Sequence, residues 1–134
     1  MTNLTPQEIT QVRGLLADKE YALDALQVIE ECEGNLEYAF EVLMLESGNT
    51  EGTREFGTSL QKLANNCRNV ICQEEFQAEI IDGFSRDFLN AIVPIITAQL
   101  AVMGNLPAAI AIPVVMYVIK IGIRRFCTSG ESQS

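Results

Sequence analysis

From Phe88 to Ile119, 32 consecutive residues carry no charged side chain. In a chain of 134 residues this is the dominant constraint, because so apolar a segment belongs in the centre of a packed core or in lipid. Asn90, Thr97, Gln99 and Asn105 are its strongly polar members. Gly104 and Asn105 followed by Pro107 form a helix stop, cap and restart, so the run reads as a helical hairpin with arms of about sixteen to eighteen residues. A spanning helix needs about 20 apolar residues to cross about 30 Å of hydrocarbon, and each arm falls slightly short. Pro94 and Pro113 interrupt the arms, a feature that membrane helices tolerate better than soluble ones.

Three destinations compete for this hairpin. It can fill the core of a soluble helical domain, enter a bilayer with Lys120, Arg124 and Arg125 at the headgroups, or form a self-association surface. Residues 59 to 87 favour the first. Leu60, Leu63, Cys67, Val70 and Ile71 mark one amphipathic helix, and Phe76, Ile80, Phe84, Phe88 and Ile92 form a further stripe at i, i+4 spacing that needs an apolar partner. The second arm, however, is apolar all round, and a domain of this size can bury one such helix and little more. Oligomerisation would relieve that difficulty. The expectation is therefore a buried hairpin completed by a homo-oligomer, with membrane anchoring through residues 88–123 as the alternative.

Charge divides the chain differently. Residues 1–87 hold six basic against seventeen acidic side chains, a net −11, while residues 88–134 hold three against one, a net +2. An acidic surface repels phosphate, so no nucleic-acid partner is expected for the front part. Glu74, Glu75, Glu79, Asp82 and Asp87 lack calcium-loop spacing and read as a solvated helix face.

Within the front part, Thr5-Pro6-Gln7-Glu8 has the form of a capping box with proline at the first helical position. Ile9, Val12, Leu15 and Leu16 continue a helix to about Ala17. Asp18 is the expected cap of a second helix with the stripe Ala22, Ala25, Leu26, Ile29 and Cys32. Gly34 breaks it, and Asn35 caps a third helix carrying Leu36, Ala39, Phe40 and Leu43 and ending near Ser47-Gly48.

The stretch Val28-Ile29-Glu30-Glu31-Cys32-Glu33-Gly34-Asn35-Leu36-Glu37-Tyr38-Ala39, continuing through Phe40 to Leu43 and Met44, resembles the junction between the second and third helices of ubiquitin-associated (UBA-like) domains. The resemblance covers residues 5–47 and implies a three-helix interaction module, with Leu43 and Met44 matching the family's terminal apolar pair. Ubiquitin-binding members also carry a Met-Gly-Phe type loop after the first helix. Here that loop reads Leu15-Leu16-Ala17-Asp18-Lys19, so ubiquitin binding is not expected. Leu16, Leu43 and Met44 are the candidate partner contacts, and burial in the core is the competing reading for all three.

These readings combine into an all-α chain: a UBA-like bundle over residues 1–48, a linker at 49–58, a helical domain with the apolar hairpin at 59–126 and a mobile tail at 127–134. No histidine is present, so the usual general base is missing, and neither a nucleophile elbow nor a phosphate-binding loop occurs. The four cysteines, Cys32, Cys67, Cys72 and Cys127, form no C-x-x-C pair and, without histidine, no zinc set. A non-catalytic adaptor with neither cofactor nor metal is expected, and no secretory leader is visible. A cytoplasmic location with reduced, buried thiols is the simplest reading of such a chain, with disulfides left open and membrane association as the alternative location.

Overall fold

The computed structural model describes residues 2–46, 59–72, 86–104, 106–123 and 125–127. All the regular elements among them are helical: α1 (Pro6–Leu15), α2 (Glu20–Glu31), α3 (Leu36–Glu46), α4 (Ser59–Asn66), α5 (Arg68–Ile71), α6 (Arg86–Gly104), a 3₁₀ turn (Ala108–Ile110) and α7 (Ala111–Ile121). The expected all-α class is observed. The 49–58 linker, Phe76, Ile80, Phe84 and the acidic residues 74–82, Asn105, Arg124 and the tail beyond Cys127 lie outside the described residues.

Local chemistry sets the boundaries of the first three helices. The capping box of α1 is present: Thr5 Oγ1 accepts from the Glu8 N–H at 3.1 Å, and the Thr5 N–H donates to Glu8 Oε1 at 2.9 Å. Helix α1 stops at Leu15 rather than Ala17, and residues 16–18 form a turn. Asp18 does not cap α2. The extended residue that precedes the helix is Lys19, which makes no side-chain cap, and Asp18 instead faces the Lys19 ammonium at 3.5 Å. Asn35 does cap α3, its Oδ1 accepting from the Tyr38 N–H at 2.9 Å.

The α2–α3 turn explains its glycine. The chain start runs antiparallel beside the turn, with the Leu4 N–H donating to the Gly34 carbonyl and the Leu36 N–H donating to the Thr2 carbonyl, both at 2.9 Å. Gly34 has φ +85°, and a Cβ there would stand 2.1 Å from the Leu4 carbonyl oxygen. Only glycine combines that conformation with that approach.

The single amphipathic helix expected from Leu60 to Ile71 is split at Cys67 into α4 and α5, while Leu60, Leu63, Cys67 and Ile71 are buried as their spacing predicts. The apolar run does form a hairpin. Helix α6 ends at Gly104, the chain turns, and the 3₁₀ turn restarts after Pro107. Helix α7 is the centre of the molecule. It packs against α2, α3, α4 and α6, and Ala111 through Val118 are all buried. Pro113 falls in its first turn, where a backbone N–H would lack an α-helical partner in any case.

The bundle of α1–α3 and the hairpin thus touch directly, a point on which the sequence is silent. The Lys120 ammonium at the end of α7 reaches Glu8 on α1, at 2.9 Å and 3.0 Å from its two carboxylate oxygens.

Candidate interaction surfaces

Leu16, Leu43 and Met44 offer no contact surface. They are 0, 6 and 1 % exposed: Leu16, capping the end of α1, and Leu43 and Met44 on α3 all belong to the common core. The core reading of these three residues is the one the structure supports.

Apolar surface lies instead on the outer side of α3. Tyr38 is 56 % and Leu45 52 % exposed, with Val42 half-buried between them. Spacing of i, i+4 and i+7 places all three on one side of the helix, opposite Ala39, Phe40 and Leu43. Glu41 and the exposed Glu46 lie on the same helix. Glu31 and Glu46 stand close enough to Cys32 that, after burial, they too push its thiol above the ordinary value. The strip is therefore apolar within a negative field. Sequence reasoning stopped at the buried stripe, yet the signal was available, since Tyr38, Val42 and Leu45 form a second apolar stripe that burial alone does not require.

A second apolar face belongs to α6. Phe88, Leu89, Ile92, Val93, Ile96 and Leu100 turn inward, while Ala91, Pro94, Ala98 and Ala101 face out, and Val102 at the end of the arm is 84 % exposed. Pro94 cannot donate to the Asn90 carbonyl, and both residues are exposed. Among the described residues, Arg86–Gly104 is the one helix long and apolar enough to cross a membrane, with a mean hydropathy of 1.5. Of the expected headgroup residues, Lys120 is engaged by Glu8 and Arg125 is exposed.

The third site is covalent. Cys72, at the end of α5, is joined by a disulfide to Cys127, their Cα atoms 5.7 Å apart. This corrects the expectation of reduced thiols and of a mobile segment starting at Cys127: that residue is buried, in helical backbone over 125–127. Sequence spacing could not pair two cysteines separated by 55 residues. Arg68 reinforces the join. Its Nη1 donates to the Phe126 carbonyl at 2.7 Å, its guanidinium carbon lies 4.4 Å from the centre of the Phe126 ring, and its Nη2 is held by Asn65 Oδ1.

Cys32 and Cys67 are free. Burial raises the Cys67 thiol to about 11, so it is not a nucleophile near neutral pH. Burial, with Glu37 as the lesser cause, also raises the Tyr117 hydroxyl. No group of three or more metal-ligating side chains occurs among the described residues. Comparison with known proteins returns nothing: no family model, no curated protein and no solved structure matches the chain.

Proposed function

We propose that this chain is a non-catalytic adaptor whose partner contact is the outer strip of α3. The observation that carries the reading is the exposure of Tyr38 and Leu45 on one side of a helix whose other side is fully committed to the core. An aromatic and an aliphatic anchor spaced along one helix face suit a protein partner that brings its own apolar groove or helix. The acidic flanks, Glu41 and Glu46, select a partner with basic residues around that apolar contact and speed its encounter. The UBA-like junction supports an interaction role, and within this proposal the contact moves from Leu43 and Met44 to the opposite side of the same helix.

A photo-cross-linking residue at position 45 tests the proposal, with position 24 on the exposed side of α2 as control. The expected result is a discrete heterologous adduct from position 45 in cell extract, absent from position 24 and lost when Tyr38→Ala is added. Equal labelling from both positions would sink the α3 assignment.

The outer face of α6 supports a second reading, self-association. It rests on the uncharged surface from Asn90 to Gly104, where two copies of a chain of net charge −9 would repel each other least. Light scattering separates the two readings: a concentration-independent monomer leaves only the α3 contact. Membrane association would require α6 alone to engage lipid, since α7 is enclosed by α2, α3, α4 and α6. Pelleting with neutral vesicles, sensitive to Val102→Asp, would establish it.

A further inference from the structure

The segment that follows α7 has the parts of a redox-controlled clasp. Gly122 ends the helix with φ +100°, a conformation in which a bulkier residue would be strained. Beyond it, Ile123, Phe126 and Cys127 are buried while Arg125 is exposed, so this short piece has one inward face. Ile123 forms part of the wall of a small apolar cleft, together with Ile71, Phe88, Ile92, Val115, Val118 and Ile119. The far end is held by the Arg68 contacts to Phe126 and by the Cys72–Cys127 disulfide, and the Phe126 N–H donates to the Gly122 carbonyl at 2.8 Å.

The two cysteines differ in exposure. Cys72 is half-buried and Cys127 buried, which makes Cys72 Sγ the point of attack for an external thiol. We infer that Cys72 and Cys127 are a dithiol-reducible pair whose reduction frees the piece bearing Ile123, Phe126 and Cys127 to move away from the core and widen the apolar cleft that Ile123 walls. The thiolate of a small dithiol attacks Cys72 Sγ, and the sulfur–sulfur bond breaks with Cys127 leaving as a thiolate that takes up a proton. The second thiol of the reagent then displaces Cys72, also protonated, and the reagent departs as its cyclic disulfide. Two electrons and two protons pass to the protein and the reagent is oxidised by the same amount.

With the covalent tie gone, the Arg68 contacts and the burial of Ile123 and Phe126 remain, and both are reversible. The reduced chain can therefore open reversibly at this end, in contrast to the oxidised chain where the tether forbids it.

Limited trypsin digestion of the full chain, with and without dithiothreitol, tests this. Digests are quenched and fully reduced before mass measurement, so that a cut tail cannot hide behind the disulfide. Reduction is expected to raise cleavage after Arg125 by about tenfold or more, while cleavage after Arg13 and Lys19 and the far-ultraviolet helical signal stay unchanged. Cys72→Ser/Cys127→Ser should be cut at the reduced rate in both conditions. Adding Arg68→Gln to that variant should speed the cut further, whereas Arg68→Gln in the oxidised chain should remain resistant. A naphthalene-sulfonate dye should brighten on reduction and in the double-serine variant. Reduction that leaves the Arg125 cut unchanged overturns the inference. So does parallel acceleration at every site with loss of helix, which would make the disulfide a general staple.

Discussion

Helices α6 and α7 come from one uncharged run and meet at one turn, yet α7 is buried on every side from Ala111 to Val118 while α6 buries a single face. Charge does not distinguish them, because neither has any between Phe88 and Ile119. Size does. The inner face of α6 is built from Phe88, Leu89, Ile92, Val93, Ile96 and Leu100, whereas Ala91, Pro94, Ala98 and Ala101 occupy the outer face. In α7, Ile112, Val114, Val115, Met116, Tyr117 and Val118 place large groups all round. Transfer out of water stabilises by about 0.8 kcal/mol per buried methylene, so an alanine-rich face gains little from cover and can be left open. An uncharged segment can thus present a surface where its outer residues are small, and on α6 the bulky exposed groups Val102 and Met103 are confined to the end of the arm.

The largest expected effect comes from placing a charge on each helix in turn. Val115→Asp should cost about 4 kcal/mol or more and prevent cooperative folding, because the carboxylate would be buried in the apolar core, where Val115 is 2 % exposed. Val102→Asp should change stability by about 0.5 kcal/mol or less. Urea unfolding followed by circular dichroism measures both. If Val102→Asp proved as damaging as Val115→Asp, the outer end of α6 would be covered in solution and the contrast between the helices would fail.

Within α6 itself the contrast should reappear at smaller scale. Leu100→Ala removes a fully buried side chain and should cost about 2–5 kcal/mol. Pro94→Ala should do the opposite. It restores an N–H donor to the Asn90 carbonyl in an exposed helix interior, and a gain of about 1–2 kcal/mol is expected once the greater freedom of the unfolded chain is subtracted. A loss at position 94 would mean that the proline ring serves a contact on the outer face, which would favour self-association there.

The legible and illegible parts of this molecule separate by range. The capping box at Thr5 and Glu8, the Asn35 cap, the Gly34 turn and the hairpin break at Gly104 and Pro107 are local features, and the sequence displays each of them. Asp18 misled because a capping residue one position early looks the same in sequence, and the deciding fact is the extended backbone of Lys19. The Cys72–Cys127 pair, the Arg68–Phe126 contact and the Lys120–Glu8 bridge join residues 55, 58 and 112 positions apart, and no local rule predicts such pairings. The contact surface fell between these cases. Helical spacing located the stripes of α3, but only tertiary packing decided that Leu43 and Met44 turn inward and Tyr38 and Leu45 outward.

The Lys120–Glu8 bridge gives the smallest and most conditional effect, and it reports whether the end of α7 is tied to α1 in solution. Burial alone would raise the Glu8 carboxyl, but the Lys120 ammonium and the Thr5 backbone N–H outweigh it and bring the group below its ordinary 4.5. A carboxyl depressed on folding contributes stability that is complete above its unfolded value and fades as pH falls through the folded one. Between neutral pH and about pH 5 the contribution should therefore be constant, and below 4.5 it should disappear. Both partners are partly solvated, so the bridge itself is worth about 1 kcal/mol or less and should weaken in high salt. Lys120→Met keeps most of the stem's packing and removes the charge. Its stability should lie slightly below that of the parent chain at pH 7 and converge with it near pH 3. A gap that persisted unchanged at pH 3 would show that the lysine acts through its packed stem, leaving α7 held to the bundle by apolar contact alone.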